Sequence, residues 1–420
     1  MTLFIFTLLL GAANQRPDTS KPLGLTRDAE KELLELHKQA KPRLPMPPPD
    51  PNNPVGRVNN GAFRAYYLPD FPDTGLIRTV DPAMSLDSTF KVKLFWITSR
   101  ANNCFYCLGH QEYKLLNSGL NDDDIAALDG DWHTATPKER AAFVFTKKLT
   151  HTPHLVTVAD VESLKQHYSP LQVAEILITV AGYNATNRWT DGLNIPAEES
   201  GERFRKEGVQ VDLSSFRTPT SAKFKKQMSS VAPVRLAPRP PLESRDMVES
   251  LLKENRSAVL PLADADTVAD LWTDKPVPNW VVLLATFPKS MKGRIAGLKA
   301  STEKGSLSPK LKGAIAWVAA RNDRAWYALA VAHDRLRKAG MSDNDIWKLD
   351  GDRNHLSEAE QAALMLTETL TVAPWKVTDQ MVERCRRSFK DTEVAEIIHQ
   401  TCNAAFFNRV TEVARLPFDK

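Results

Sequence analysis

Residues 119–131 read Gly-Leu-Asn-Asp-Asp-Asp-Ile-Ala-Ala-Leu-Asp-Gly-Asp, and residues 340–352 read Gly-Met-Ser-Asp-Asn-Asp-Ile-Trp-Lys-Leu-Asp-Gly-Asp. Eight of these 13 positions are identical, at an offset of 221 residues. The same offset holds without a gap for about a hundred residues, and it pairs Trp96 with Trp317, Arg100 with Arg321, Tyr106 with Tyr327 and Pro153 with Pro374. One register kept over that length indicates an internal duplication.

Both copies carry helical signals only. The apolar stretch 91–99 matches an alanine-rich stretch at 311–320, which favours helix. Thr136 with Glu139, and Ser357 with Glu360, have the spacing of capping boxes. One buried helix face is predicted by apolar residues at i, i+3, i+4 and i+7, namely Val173, Ile176, Leu177 and Val180. With no alternating strand pattern of useful length, the sequence predicts an all-α protein.

Composition divides the 420-residue chain into five segments. We predict a signal or leader at 1–20, a Pro-rich N-terminal segment at 21–60 with one short helix at 28–41, and a first helical unit at 61–200. A basic Pro/Ser-rich linker at 201–243 and a second unit at 244–420 follow. Residues 201–240 hold nine Lys/Arg against three acidic residues. Because this excess lies in a linker, we expect it to be solvated rather than to bind nucleic acid.

The N-terminus contains an apolar run at 3–10, followed by Gly11-Ala12-Ala13. The run is shorter than the ~20 residues that span a bilayer. It fits the apolar core and the small-residue cleavage site of a secretory signal, although the usual positive region before the core is missing. We therefore expect a periplasmic or secreted protein, with a cytoplasmic protein that has a disordered leader as the alternative.

The stretch that carries chemistry is 102–112, Asn-Asn-Cys-Phe-Tyr-Cys-Leu-Gly-His-Gln-Glu. On a helix, Cys104 and Cys107 share one face within reach of a disulfide. With Asn102 or Asn103 as the cap, Cys104 is expected in the first turn, where free N–H groups favour a thiolate. His110, three residues after Cys107, is a candidate base. A thiol pair beside a base suits peroxide reduction or disulfide exchange.

The cysteines also fit other roles. The pair also fits a structural disulfide. A zinc site needs further ligands, for which His151 and His154 are the nearest candidates. Covalent haem attachment is excluded because Leu108, not His, follows the second cysteine. Cys385 and Cys402 stand alone on apolar faces and are expected in the core.

These residues resemble the carboxymuconolactone decarboxylase and AhpD-like alkylhydroperoxidase superfamily. The matching positions are Asn103-Cys104-Phe105-Tyr106-Cys107, the downstream His110, Gly119, Leu128-Asp129-Gly130, Pro170–Ile176 and Asn184-Ala-Thr-Asn187-Arg188. The resemblance covers about 65–197, and a decayed form covers about 280–415. It implies helical protomers that form homo-oligomers, and a hydroperoxide or other small-molecule substrate. It also implies a dithiol reductant as partner, with Cys107 as the attacking thiol and Cys104 as the resolving thiol. We expect no cofactor and no metal.

Two departures from the family pattern affect the expected mechanism. The family places its His four residues after the second Cys, where this chain has Gln111. Its peroxidases also carry a Glu twelve residues before the first Cys, where this chain has Val92. The proton relay is therefore expected to be incomplete or rebuilt from elsewhere.

The second copy has lost the chemical residues. Cys104, Cys107 and His110 pair with Ala325, Ala328 and Val331. We expect this copy to pack against the first as an intrachain pseudo-dimer, in place of a partner subunit. Residues kept in both copies are expected to be structural: Trp96 and Trp317, Glu175 and Glu396, Asn187-Arg188 and Asn408-Arg409.

The sequence thus predicts a thiol-dependent peroxidase-like oxidoreductase with Cys104, Cys107 and His110 as catalytic residues. The alternatives are a redox-inactive binding or scaffold protein with a structural disulfide, and a lactone-type decarboxylase. That last branch of the family does not need the Cys pair.

Overall fold

A computed structural model describes residues 26–49, 58–71, 81–198, 228–231, 236 and 239–419. Within these ranges the chain is all-α, as predicted, with eighteen α-helices, two 3-10 turns and no β-strand. The predicted leader at 1–20 lies outside the described residues, as do all the linker's Lys and Arg residues except Arg239. No helix in the described part of the chain has the length and apolar character needed to cross a membrane.

The first half contains eight helices. They are α1 Arg27–His37, α2 Asn59–Tyr67, α3 Ser88–Ala101, α4 Phe105–Asn117, α5 Asp122–Leu128, α6 Pro137–His151, α7 Val158–Lys165 and α8 Pro170–Leu193. The second half, from residue 239 on, contains ten. They are α9 Arg245–Leu251, α10 Ala265–Ala269, α11 Asn279–Leu284, α12 Pro288–Glu303, α13 Pro309–Asp323, α14 Trp326–Lys338, α15 Asp343–Lys348, α16 Glu358–Val372, α17 Asp379–Arg386 and α18 Asp391–Val413.

The helices α3 to α8 recur in the same order as α13 to α18, and each member of the second set begins 221 residues after its counterpart. The predicted capping boxes are confirmed: Thr136 pairs with Glu139, and Ser357 with Glu360. The predicted apolar face of α8 is confirmed as well, since all four of its residues are buried. Local signals at the helix starts and one apolar stripe therefore account for the helical order of each unit.

The two units meet where α8 packs against α18. Arg188 on α8 donates from Nη2 to the Thr371 carbonyl at 2.9 Å, and Arg409 on α18 donates from Nη2 to the Thr150 carbonyl at 3.4 Å. Both arginines and both carbonyls are related by the 221-residue offset, so each unit offers the other the same contact. Both guanidinium groups are buried.

The N-terminal segment packs more closely than the sequence indicated. A proline tract is extended and packs little by itself, but here Leu44 is buried and Arg43 contacts both units, since its Nη1 donates to the Gly192 carbonyl of the first unit at 3.3 Å. Arg43 Nε bonds Asp379 at 2.8 Å, and its Nη2 bonds the Val377 carbonyl at 2.8 Å. Composition does not predict this packing, because the packing depends on a single arginine whose hydrogen-bond acceptors are distant in the sequence.

Helix α1 also docks through buried charge. Arg27 pairs with Glu112 on α4 and lies 3.2 Å from Glu30 Oε2. Glu30 is completely buried, and Arg100 on α3 pairs with Asp129 at 3.2 Å in the same cluster. The segment before the first unit is therefore held by ion pairs that composition alone does not predict.

Arg239 is a second correction in the described residues. We counted it among the solvated basic residues of the linker, yet its side chain is largely covered. It contacts Asp323 at 3.7 Å and donates to the Asn322 carbonyl. The reason is local: buried Asp323 at the end of α13 requires a positive partner.

Candidate thiol site

A left-handed residue sets the geometry of the thiol helix. Asn103 lies between α3 and α4 with φ 52°, and its counterpart Arg324 has the same φ. Asparagine tolerates this conformation better than most residues do. The Arg100 Nη1 donates to Asn103 Oδ1 at 3.2 Å and fixes the turn.

Because of this turn, the helix starts later than the sequence indicated. We expected Asn102 or Asn103 to cap the helix and Cys104 to lie in its first turn. Instead Cys104 is itself the N-cap residue, and Cys107 occupies the first turn. The Asn102 side chain is used elsewhere, donating to Asn184 at 3.2 Å and to Asn187 at 2.9 Å.

The two thiols are free and lie together in the interior. Cys104 is 0% exposed and Cys107 2%. The hydroxyl of Thr190 on α8 lies 3.0 Å from Cys104 Sγ and 3.4 Å from Cys107 Sγ. Sequence reasoning missed Thr190. Its counterpart Thr411 is kept in the unit without thiols, so the repeat gave no reason to select it.

The expectation of a thiolate at Cys104 is wrong. Burial raises the pKa of Cys104 well above its usual value, and the hydrogen bond to Cys107 raises it further. The raised pKa favours the protonated thiol form of Cys104 at neutral pH.

His110 is engaged on both ring nitrogens, though not with a sulfur. Nδ1 donates to the Tyr106 carbonyl at 2.8 Å, and Nε2 lies 3.0 Å from Glu198 Oε2. Gln111, at the family's His position, donates to the Cys107 carbonyl at 3.3 Å. His110 lies on the thiol helix, as its spacing from Cys107 predicted. Its ring, however, points toward the carboxylate of Glu198, which follows α8 in the sequence.

Glu198 is the second residue that sequence reasoning missed. It accepts hydrogen bonds from the Tyr106 hydroxyl at 2.9 Å and from the Asn59 N–H. Burial tends to raise the pKa of Glu198, but its hydrogen bond and charge interaction with His110, together with the Asn59 N–H, hold that pKa below the usual value. Glu198 is therefore an ionised carboxylate at neutral pH.

The second unit repeats this carboxylate clamp without the histidine. Tyr327 donates to Asp419 at 2.6 Å, and the Asn279 N–H donates to the same carboxylate at 2.8 Å. Asp419 stands 221 residues after Glu198, so the repeat did contain a signal for the clamp. The clamp is common architecture, whereas a histidine on the carboxylate occurs only in the unit that carries thiols.

The remaining predicted residues have structural partners. Glu175 accepts from the backbone of Ser85 and pairs with Lys91, and Glu396 does the same with Ser306 and Lys312.

The histidines considered for zinc do not gather at the thiols. His151 is buried and bonds the Ala101 carbonyl at 2.9 Å. Among the residues that the structure describes, no group of three or more His, Cys, Asp or Glu is placed to hold a metal ion.

No protein-family model matches this sequence, and no curated protein matches it either. The resemblance to the AhpD-like superfamily rests on the thiol stretch, on Gly119 and Leu128-Asp129-Gly130, and on residues of helix α8.

Proposed function

We propose that the protein is a thiol-dependent peroxidase-like oxidoreductase that reduces a small hydroperoxide through Cys104 and Cys107. One observation carries the proposal: the thiol pair and the His110–Glu198 pair occur together in the first unit and are both missing from the second. The second unit keeps the surrounding helices and the tyrosine–carboxylate clamp. A purely structural role for Cys104, Cys107 and His110 gives no reason for the joint loss of these three residues, while the carboxylate that faces His110 is kept as Asp419.

The chemistry divides into two steps. The Cys107 thiolate attacks one peroxide oxygen, the O–O bond breaks, and the leaving oxygen takes a proton and departs as an alcohol or water. Cys107 is then a sulfenic acid. The Cys104 sulfur attacks the Cys107 sulfur, water leaves, and a disulfide forms. A dithiol reductant transfers two electrons and two protons to restore both thiols.

Cys107 is assigned the attack because Cys104 retains its proton. The raised pKa of Cys104 keeps it a thiol at neutral pH, which suits a resolving residue. Cys107 lies in the first turn of α4, where the unpaired N–H groups favour negative charge. Thr190 supplies a hydroxyl that contacts both sulfurs.

His110 and Glu198 are assigned the exchange of protons with solvent. The sulfurs are buried, while the side chains of His110 and Glu198 are 21% and 17% exposed. The pair thus joins the thiol helix, through His110, to a carboxylate that is partly open to solvent. The carboxylate of this pair is Glu198, whereas the peroxidases of the family carry a Glu at the position of Val92. On this proposal the segment after α8 therefore supplies the carboxylate of the proton relay.

The second unit is proposed to stand in for a partner subunit. The reciprocal contacts of Arg188 and Arg409 support this, since they are the contacts expected of two equivalent protomers. A homo-oligomer of the whole chain and export from the cytoplasm stay expectations from the sequence.

A redox-inactive binding or scaffold protein is the second candidate. The observation that favours it is the almost complete burial of both sulfurs, which is typical of core cysteines. On that account the thiols only pack, and removing them changes stability alone.

Stopped-flow measurement of peroxide consumption with excess dithiothreitol separates the two. We expect turnover by the wild type, loss of at least about 100-fold in Cys107→Ser, and wild-type turnover in the control Cys385→Ser, which removes a buried thiol on α17. Wild-type turnover in Cys107→Ser excludes the proposed function.

A further inference from the structure

In one part of the contact between α8 and α18, the 221-residue offset pairs residues that carry hydrogen-bonding side chains with residues that do not. His399 and Asn403 on α18 are buried there, beside Trp189 on α8. Their counterparts at the 221-residue offset are Ile178, Gly182 and Val410. At these three positions one member of each pair carries a hydrogen-bonding side chain and its counterpart carries none.

His399 presents a hydrogen-bond donor that has no acceptor. The Asn403 side-chain nitrogen, which only donates, lies 3.1 Å from His399 Nε2. With this orientation of the Asn403 amide, the neutral ring accepts at Nε2 and carries its proton on Nδ1. Nδ1 is buried without a hydrogen-bond partner among the described residues. Burial lowers the pKa of His399 to about 3, helped by Arg64, Arg294 and Lys312, so the ring stays neutral.

Trp189 presents a second such donor. Its ring centroid lies 6.5 Å from that of His399, and its Nε1 is likewise buried with no partner in the described part of the chain. A buried N–H without an acceptor is unfavourable, so two of them side by side point to a group that supplies acceptor atoms.

The surroundings of the two donors are cationic and aromatic. The Arg64 guanidinium lies 4.7 Å above the Trp189 ring, and that of Arg294 lies 4.5 Å above Phe406. Phe71 lies against His399 with ring centroids 5.0 Å apart. Asp191 contributes one negative charge in the same region, where it acts on Cys402 together with both arginines.

We propose that this cluster is a binding site for a small organic carboxylate with a flat apolar body. The carboxylate accepts from His399 Nδ1 and Trp189 Nε1 within the positive field of Arg64 and Arg294, and the body lies against the aromatic rings. Both units contribute, which gives the second unit a role besides packing. The site uses neither thiol, so its test is independent of peroxide chemistry.

Isothermal titration calorimetry of the full chain with benzoate tests the site, with benzyl alcohol and benzylamine as neutral and cationic probes of the same shape. We expect one benzoate per chain, and weaker binding of the alcohol and the amine. His399→Ile introduces the side chain of Ile178, the equivalent residue of the first unit. Trp189→Phe keeps an aromatic ring and removes the indole N–H. Each is expected to weaken benzoate binding about tenfold or more.

The surface variant His355→Ala serves as the control and is expected to bind as the wild type does. If one of the two buried variants fails to fold, the other decides. The proposal is overturned if benzoate gives no binding heat at millimolar concentration. It is also overturned if the folded variants bind benzoate as the wild type does, or if benzylamine binds as tightly.

Discussion

A substitution at Glu198 distinguishes most clearly between a catalytic and a structural role for the residues around the thiols of the first unit. Its carboxylate accepts from the Tyr106 hydroxyl and the Asn59 N–H, and it faces His110 Nε2 at 3.0 Å. Glu198→Gln keeps an acceptor oxygen for the first two donors and removes the charge opposite the imidazole. We expect the variant to fold normally and to lose peroxide turnover.

The size of the loss follows from the exposure of the pair. At 21% and 17% exposure, His110 and Glu198 lie between a surface ion pair and a buried one. A surface pair contributes about 0.2–1 kcal/mol, and breaking a buried pair costs about 3–5 kcal/mol. We therefore expect a loss of about 1–2 kcal/mol in transition-state stabilisation, which is about tenfold in turnover.

The second unit supplies a matched control. Asp419→Asn makes the same change to the clamp on Tyr327, where Val331 replaces the histidine and no thiol is present. Turnover and thermal midpoint are measured for both variants. If Glu198 acts through His110, only Glu198→Gln loses turnover. Unchanged turnover in both, or an equal fall in both, contradicts the relay.

Three further predictions follow from the buried contacts. Limiting iodoacetamide with peptide mapping is expected to label Cys107 before Cys104, because Cys104 keeps its proton; equal or reversed labelling removes the role assignment. Burial raises the pKa of Glu30 to about 8, although the charges of Arg27 and Arg100 oppose this shift. The protonated Glu30 side chain therefore stabilises the folded state fully below about pH 4.5, and this stabilisation is lost as pH rises to about 8. Denaturation across that range should show Glu30→Gln gaining stability relative to the wild type as pH rises, and a constant difference argues against the shift. Arg409→Met is expected to cost about 3–5 kcal/mol because it breaks a buried ion pair and leaves Asp323 only the more distant Arg239. Arg188→Met is expected to cost about 1–3 kcal/mol because Arg188 donates to the neutral oxygens of Asn184 and Thr371. Equal losses in urea denaturation oppose this reasoning.

The fold was predictable because its signals are local. The helix caps at Thr136 and Ser357 and the apolar stripe of α8 are written within a few residues, and they form as the sequence indicated. The start of α4 was not predictable, because it depends on the left-handed conformation of Asn103, which this residue type permits but does not require.

The site was predictable only in part, because its partners are distant in sequence. The two cysteines share a helix, but Thr190 is 86 residues from Cys104, and Glu198 is 92 residues from Tyr106. The direction of His110 depends on that carboxylate rather than on its spacing from Cys107. Burial of Arg27 and Glu30 could not be inferred either, since isolated charged residues indicate a solvated surface until their partners are known.

The central claim is that Cys104 and Cys107 form one redox pair that a peroxide oxidises. It is tested most directly by intact-protein and peptide mass spectrometry after the reduced chain reacts with one equivalent of hydrogen peroxide. The account predicts loss of two hydrogens and a single disulfide between Cys104 and Cys107, with Cys385 and Cys402 still alkylated as free thiols. An unreacted pair, or oxidation that falls on Cys385 or Cys402 instead, contradicts it.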